Sequence, residues 1–148
     1  MCVTISAARK RKAERQEKGK KMKSLVLSKS DLREHEIKKG DTLSQLQELV
    51  GGYIEIPYLS RELCAAGIDI VINDEGKLLD GFEKELAIVD KATEQLIDIV
   101  YGNCVFVSHD EDGNTTGLTE DQINLVTDAL SISLATFADG SVTRVLFV

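Results

Sequence analysis

The sequence has no tryptophan, a single proline, three cysteines and only 5% aromatic residues among its 148 positions. Cys2, Cys64 and Cys104 have no paired spacing, so they predict neither a disulfide framework nor a zinc site. No apolar run approaches the roughly 20 residues that cross a bilayer, and residues 2–5 are too short for a secretory signal. These absences favour a single domain in a reducing cytoplasm.

Charge divides the chain into a basic N-terminal arm and an acidic body. Residues 1–29 hold ten Lys and Arg against two Glu, whereas residues 30–148 hold eight Lys and Arg against 23 Asp and Glu. We place the arm at residues 1–23, flexible or helical, and a single domain at residues 24–148. Met22 lies at the end of the basic run, so a chain that starts there is an alternative interpretation.

The basic residues of the arm are candidates for a nucleic-acid contact, because Lys and Arg release counterions from phosphates. No aromatic residue lies among them, so the stacking platform of a single-strand binder is missing. A solvated tail that folds back on the acidic body is the alternative. The candidate residues are Arg9, Lys10, Arg11, Lys12, Arg15, Lys20, Lys21 and Lys23.

The patterns of the body predict an α+β fold with a small mixed or antiparallel sheet and about three helices. Strands are expected at residues 24–28, 53–56, 68–72 and 104–107, with a polar link after the first of them. Helices are expected at residues 42–50, 82–100 and 119–130, with Thr42, Asp80 and Thr119 as their N-caps. Three residues after each N-cap, Gln45, Glu83 and Gln122 are expected to complete the capping. A hairpin hinged on Asp139–Gly140 is expected to join strands at residues 131–137 and 142–148.

Three glycines are expected to have structural roles at the ends of the first two helices. Gly51 and Gly52 end the first helix by supplying positive φ, and Gly102 stops the second helix. Because Gly51 and Gly52 follow a helix, they meet the negative end of its dipole and are badly placed for phosphate.

No catalytic motif accounts for the polar residues. Ser108, His109 and Asp110 have the residue types of a catalytic triad, but adjacent side chains do not usually converge as a triad requires. The run that begins at Asp110 has Thr115 where a calcium loop needs its sixth-position glycine. We therefore expect no enzyme, no metal and no cofactor.

Several segments resemble a small uncharacterised domain family carried by bacteriophages and plasmids. They include LQELVGGYIEIPYL at residues 46–59, IVINDEGKL at residues 70–78 and YGNCVFVSHDEDG at residues 101–113. The resemblance covers roughly residues 43–122, and LQ-x-x-VGGYIE is its specific part. The sequence departs from the family pattern at Asp74, where members of the family have Glu, and at Asp90, where they have Asn. The resemblance implies a small cytoplasmic accessory protein of a mobile element in a bacterial host, and no particular activity.

We therefore expect a non-catalytic accessory protein that counters host defence by binding a host protein or sequestering a nucleotide-like signal. The ligand-binding candidates are Tyr53, Glu55, Asn73 and Thr93, which we expect on one side of the sheet, where they line a pocket. The alternative is that this region serves packing only, with Ile54 and Ile56 in the core. Nucleic-acid binding through the arm is the second candidate function.

The last residues of the sequence predict a homodimer. Residues 145–148 form an apolar run without polar alternation, which implies cover on both faces of a strand. A long unpaired apolar edge also invites aggregation, and a two-fold partner that contributes the same strand removes it. The alternative is a central strand buried within one subunit.

Overall fold

The structure is a computed structural model that describes residues 21–148, and these form ten strands and three helices. The α+β fold class is confirmed. Six of the basic candidates, those from Arg9 to Lys20, lie outside the described residues. In chain order the elements are β1 (Lys21–Ser28), β2 (Asp31–Lys38), α1 (Thr42–Val50), β3 (Ile54–Glu55), α2 (Arg61–Ala65), β4 (Ile68–Asn73), β5 (Lys84–Val89), β6 (Leu96–Tyr101), β7 (Cys104–His109), β8 (Thr115–Thr116), α3 (Glu120–Ser131), β9 (Leu134–Thr136) and β10 (Val142–Phe147).

The strands form two sheets. In the first sheet the order is β2-β1-β7-β4-β3, with β8 paired to β7, and every pair is antiparallel. In the second sheet the order is β6-β5-β10-β9, and β5 runs parallel to β10. A parallel pair needs a long crossover, and the chain between β5 and β10 contains β6, β7, β8, α3 and β9. Strands of the two sheets therefore alternate along the chain, and neither sheet is formed by one continuous segment.

Two apolar clusters hold these elements together. The larger cluster packs Phe106 of the first sheet with Leu86 and Leu146 of the second sheet and Val126 of α3. The smaller cluster packs α1, through Leu46 and other residues, against the opposite face of the first sheet. Strand β7 is buried on both faces, which explains its unbroken apolar run.

The helix expected at residues 82–100 is wrong, because this stretch forms the β5–β6 hairpin. Its apolar residues matched a helical spacing by coincidence, while β-branched residues are frequent in IDIVY and favour a strand. Asp90, in the connecting turn, accepts hydrogen bonds from the backbone N–H groups of Ala92 and Thr93 at 2.8 and 2.9 Å. Asp80 therefore caps no helix and lies in an exposed turn.

The first helix is confirmed at residues 42–50, but its expected N-cap is wrong. Asp41 is the N-cap residue and makes no side-chain capping bond. Gln45, expected to complete a capping box with Thr42, binds backbone groups of Lys38 instead: it accepts from N at 2.8 Å and donates to O at 2.7 Å. The expected polar link before this helix contains β2, whose charged, mostly exposed residues conceal an edge strand.

The expected glycine roles are confirmed only in part. Gly51 ends α1 with a left-handed φ of 79°, whereas Gly52 does not share the positive φ expected of the pair. Gly102 stops no helix, because the helix before it does not exist. It lies instead in the turn between β6 and β7, with a φ of 86°.

Other expectations for the ends of elements are confirmed. Thr119 and Gln122 form a complete capping box at the start of α3. Asp139–Gly140 lies in the turn between β9 and β10, although β9 is shorter than expected because α3 extends to Ser131. No helix within residues 21–148 is long and apolar enough to cross a bilayer.

The expectation that the C-terminal strand is an edge strand is wrong. Strand β10 lies between β5 and β9, and Val145 and Leu146 are buried within the chain. The apolar run is therefore explained by a central strand, which was the alternative interpretation. The homodimer itself stays a prediction, without the strand argument that motivated it.

Candidate functional site

A cleft of about 290 Å³ opens between the C-terminal end of α1, the β1–β2 turn and the start of β5. We call it the Glu85 cleft. Its lining combines acidic residues, glycines and one aromatic ring: Ser28, Lys29, Glu48, Leu49, Val50, Gly51, Gly81, Phe82, Glu83, Glu85, Gly102 and Asn103.

Glu85 lies at a β-bulge in β5. The β5–β6 register steps from Lys84 opposite Tyr101 to Leu86 opposite Val100, so Glu85 is the extra residue. Bulges redirect side chains and are frequent beside functional sites. Only 4% of Glu85 is exposed, and its Oε2 atom is buried without a hydrogen-bond partner.

The carboxyl group of Glu85 lies beside the tip of the β1–β2 hairpin. The backbone N–H groups of Lys29 and Ser30 face it and favour its charged form. Burial raises the pKa of Glu85, and the two backbone N–H groups oppose that rise because they favour the charged form. The Oε2 atom has no hydrogen-bond partner within the described residues.

The hairpin tip has a conformation that is uncommon for its residue types. Lys29 and Ser30 have φ values of 52° and 64°, the left-handed region typical of the two-residue turns that join hairpin strands. Arg144 donates from Nε to the Ser30 carbonyl oxygen at 3.0 Å, and Ser30 Oγ donates to the Val142 carbonyl oxygen at 3.0 Å. Contacts with the second sheet therefore hold the turn beside Glu85.

The ring of Phe82 lies against two of the expected structural glycines. A Cβ atom on Gly51 would lie 3.3 Å from Phe82 Cζ, and one on Gly102 would lie 2.9 Å from Phe82 Cδ2. Both glycines also have positive φ, at 79° and 86°. Gly51 and Gly102 therefore shape the wall of the cleft as well as the backbone.

The C-terminal end of α1 contributes negative potential to the cleft. Its last turn contains Glu48 and no basic residue. Asn103 donates from Nδ2 to the Leu49 carbonyl oxygen at 3.0 Å. With Glu83 and Glu85 nearby and Lys29 as the only cation of the lining, the described surface of the cleft favours positive charge.

The four ligand-binding candidates predicted from the sequence occupy two places. Tyr53, Glu55 and Asn73 lie around the β3–β4 pairing, whereas Thr93 lies in the β5–β6 turn of the other sheet. Asn73 is buried, and its side chain donates to the Val50 carbonyl oxygen at 3.1 Å and accepts from Glu75 N at 2.8 Å. None of the four lines the Glu85 cleft. None of them lines the second, smaller cleft of the structure either, which lies near β3.

The region around β3 is an exposed aromatic surface at the end of the first sheet. Tyr53 is 74% exposed, Ile56 48% and Tyr58 69%. We call these three residues the aromatic edge. Ile56, expected in the core, is therefore exposed, and Ile54 is only partly buried. The smaller cleft, of about 160 Å³, adjoins the edge, with Ile56, Tyr58 and Leu63 among its lining residues.

The residues that resembled a catalytic triad serve other contacts. Ser108 Oγ donates to the Gly67 carbonyl oxygen at 2.8 Å and accepts from Gln122 at 3.1 Å. Asp110 accepts from the backbone N–H groups of Asp112 and Asn114. His109 instead contacts Asp69, with 3.0 Å between Nδ1 and Oδ2. The structure therefore does not bring the three side chains together as a triad.

Two of the nucleic-acid candidates lie in β1. Lys21 Nζ is 3.2 Å from a carboxylate oxygen of Glu36, and Lys23 Nζ is 2.7 Å from one of Glu120. Acidic neighbours thus offset the charge of both lysines. Strand β1 begins at Lys21, so these residues belong to the first sheet.

Comparison with known proteins gives a family. A model of the family described as a domain of unknown function, DUF3846, matches residues 22–131. The chain belongs to this family. The DUF3846 match runs from β1 to the end of α3, so it includes the Glu85 cleft and the aromatic edge, while β9 and β10 lie beyond it. No curated protein and no solved structure matches the chain.

Sequence reasoning identified Gly51, Gly102 and Tyr53 but missed Glu85 and Phe82. The misassigned helix at residues 82–100 placed Glu85 among helical positions and hid the bulge. One signal was available: Glu85 is followed by four apolar residues, 86–89, and a carboxylate beside such a run is unusual unless something holds it.

Proposed function

We propose that this DUF3846 protein is a non-catalytic accessory protein that binds a host protein through its aromatic edge. The observation that carries the proposal is the exposure of Tyr53, Ile56 and Tyr58 within six residues of chain. Single exposed apolar residues are ordinary, whereas a cluster of them is typical of an interaction site. Tyrosine is also enriched at the centres of protein interfaces.

The backbone at this position supports the same function. Strand β3 is the last strand of the first sheet, and only Ile54 and Glu55 pair with β4. Within the described residues no strand pairs with the outer side of β3. A partner can add an extended segment to such an edge and gain main-chain hydrogen bonds, while neighbouring pockets select its side chains.

The smaller cleft suggests how selection would occur. The residues that line it include the apolar Pro57, Leu59, Leu63 and Ile70, beside two of the three residues of the aromatic edge. A cleft of about 160 Å³ is suited to one apolar side chain of a partner rather than to a whole small-molecule ligand. We therefore propose that a bound segment places an apolar anchor there.

The charge of the larger cleft favours a protein partner over a nucleotide-like signal. Glu48, Glu83 and Glu85 line the Glu85 cleft, against Lys29 alone. Phosphate groups would meet repulsion from these carboxylates and from the C-terminal end of α1. Sequestration of a nucleotide signal is therefore the weaker form of the proposal.

The biological setting rests on the resemblance of the LQ-x-x-VGGYIE segment to proteins of bacteriophages and plasmids. We propose that the protein acts for such a mobile element in the cytoplasm of a bacterial host, where it counters host defence. Each aromatic edge requires only one chain, so the proposal holds for a monomer and for the predicted homodimer.

The test compares three forms of the full chain as bait in a bacterial lysate, with bound proteins quantified by mass spectrometry. The forms are the wild type, Tyr53→Ser/Tyr58→Ser, and Leu134→Ser as a control that removes an exposed apolar side chain from β9. We expect one stoichiometric protein that the wild type and the control retain and the double variant loses. The captured protein is then purified and its affinity for all three forms is measured.

Equal binding of that protein to the double variant would contradict the proposal. Native mass spectrometry followed by denaturation would meanwhile show whether a nucleotide is released from the purified protein. A stoichiometric nucleotide without a protein partner would replace the proposal with the sequestration alternative.

A further inference from the structure

We propose that the Glu85 cleft binds the primary ammonium group of a small organic molecule. The inference does not depend on the aromatic edge, which lies on other residues. It starts from Glu85, a residue on the wall of the cleft that is only 4% exposed and whose buried Oε2 atom has no hydrogen-bond partner. Buried polar atoms are almost always hydrogen-bonded, so an unpartnered one requires an explanation. A donor supplied by a ligand satisfies it.

The charges around the cleft select a cation. Glu48, Glu83 and Glu85 line it, and Lys29 contributes a single opposing charge from an exposed side chain. The last turn of α1, which also faces the cleft, has no basic residue to balance its dipole. A positively charged ligand would offset both the carboxylates and the helix end.

The spacing of the acidic groups favours an organic cation over a metal ion. Among residues 21–148 no three His, Cys, Asp or Glu side chains are close enough to hold one ion together. An ammonium group needs no such convergence, because its three N–H donors can bind Oε2 and reach other acceptors or water. A charge-assisted hydrogen bond to a carboxylate is also stronger than a neutral one.

The remaining walls suit a short alkyl chain. Leu49, Val50 and the ring of Phe82 line the cleft, and Gly51 and Gly102 leave room for that ring. An aromatic face also attracts a cation. The volume of about 290 Å³ is at the low end for ligand pockets, so the ligand is a small alkylammonium compound.

The test is an NMR titration of the ¹⁵N-labelled full chain with n-butylammonium chloride near neutral pH and at constant ionic strength. Butan-1-ol and sodium butyrate serve as the neutral and anionic matched probes. We expect saturable shifts of the Lys29, Ser30 and Gly102 amides with n-butylammonium only. Glu85→Gln should weaken this binding at least about tenfold, whereas Glu111→Gln, which removes an exposed carboxylate in the β7–β8 turn, should leave it unchanged.

The inference fails if n-butylammonium gives no saturable shift, if butan-1-ol gives the same shifts, or if Glu85→Gln weakens binding less than tenfold. If Glu85→Gln does not fold, Glu48→Gln/Glu83→Gln decides the question, since both side chains are exposed and neither change affects the core. We expect this double variant to weaken binding at least about threefold through lost attraction. Unchanged binding would place the cation elsewhere on the acidic surface.

Discussion

The side-chain amide of Asn73 donates a hydrogen bond to the carbonyl oxygen of Val50, with 3.1 Å between the atoms. This bond joins the end of β4 to the last residue of α1. A Cβ atom on Gly52 would lie 2.8 Å from the same amide nitrogen. Gly52 of the VGGYIE segment, the last residue of α1 and Asn73 at the end of β4 therefore form one structural unit.

Replacing Asn73 should reduce stability. Asn73→Ala leaves the Val50 carbonyl oxygen and the Glu75 N–H without their partner, and we expect the free energy of unfolding to fall by about 1–3 kcal/mol. Glu55→Ala, at an exposed position of β3, should change it by less than about 0.5 kcal/mol. Urea denaturation measures both. Equal stability of Asn73→Ala and the wild type would return Asn73 to the ligand-binding candidates.

Three glycines with positive φ allow backbone strain to be separated from steric contact. Beyond its chain neighbours, a Cβ atom on Gly81 would meet nothing within 4 Å, whereas one on Gly51 would lie 3.3 Å and one on Gly102 2.9 Å from the Phe82 ring. Alanine at Gly81 should cost about 1 kcal/mol from the backbone alone, with a larger loss at Gly51 and the largest at Gly102. Gly51→Val should cost more than about 1 kcal/mol, because a β-branched residue is strained there.

Thermal unfolding of these four glycine variants tests the expected order. A loss of stability for Gly81→Ala as large as that for Gly102→Ala would show that contact with the Phe82 ring adds no cost to a side chain at Gly102. An unchanged melting midpoint for Gly51→Val would show that the end of α1 tolerates a branched side chain.

Glu85 should make stability depend on pH in a defined direction. Its pKa is raised in the folded protein above the ordinary 4.5, so the folded state binds more protons than the unfolded state in that range. The free energy of unfolding contributed by Glu85 therefore falls as pH rises from about 4.5 through the folded pKa and then levels off.

The comparison of the wild type with Glu85→Gln isolates this contribution. Urea denaturation at a series of pH values should show the wild type losing stability relative to the variant as pH rises. A difference that stays constant with pH would show that the backbone N–H groups of Lys29 and Ser30 balance the effect of burial on the pKa of Glu85, and a change in the opposite direction would show that they outweigh it.

Any affinity for nucleic acid should reside in residues 1–20. Removal of this segment leaves 11 Lys and Arg against 23 Asp and Glu, and Lys21 and Lys23 remain beside carboxylates. The truncation should end before Lys21, where β1 begins. We expect binding of generic duplex DNA, measured over a salt series, to disappear on truncation. Binding by the truncated chain with the same salt dependence would refute the arm as the contact.

The fold was predictable where local signals agreed with burial. Thr119 and Gln122 mark the start of α3, and the apolar run of β7 predicted a buried strand. The β5–β6 hairpin was not predictable from spacing, since Leu86 and Val89 fit a helical period. The deciding contact, the pairing of β5 with β10, joins residues about 60 positions apart. Edge strand β2 was hidden by its polar residues for a similar reason, because its pairing with β1 stabilises it.

The candidate site divides in the same way. The sequence indicated Gly51, Gly102 and Tyr53 through local backbone and residue type. It could not indicate the Glu85 cleft, since this site combines a hairpin tip, a helix end and a bulge that meet only in the folded chain. Asn73 shows the reverse case: the sequence indicated a polar group that lines a pocket, but the side chain binds the backbone.

Backbone hydrogen exchange in the complex with the purified partner tests the central claim most directly. The claim predicts that the partner slows exchange in residues 54–59, on and beside β3, and that Tyr53→Ser/Tyr58→Ser abolishes this protection at the same concentrations. The control Leu134→Ser should show the wild-type pattern. Unchanged exchange in residues 54–59, together with protection on another surface of the same complex, would contradict the assignment of the aromatic edge as the binding site.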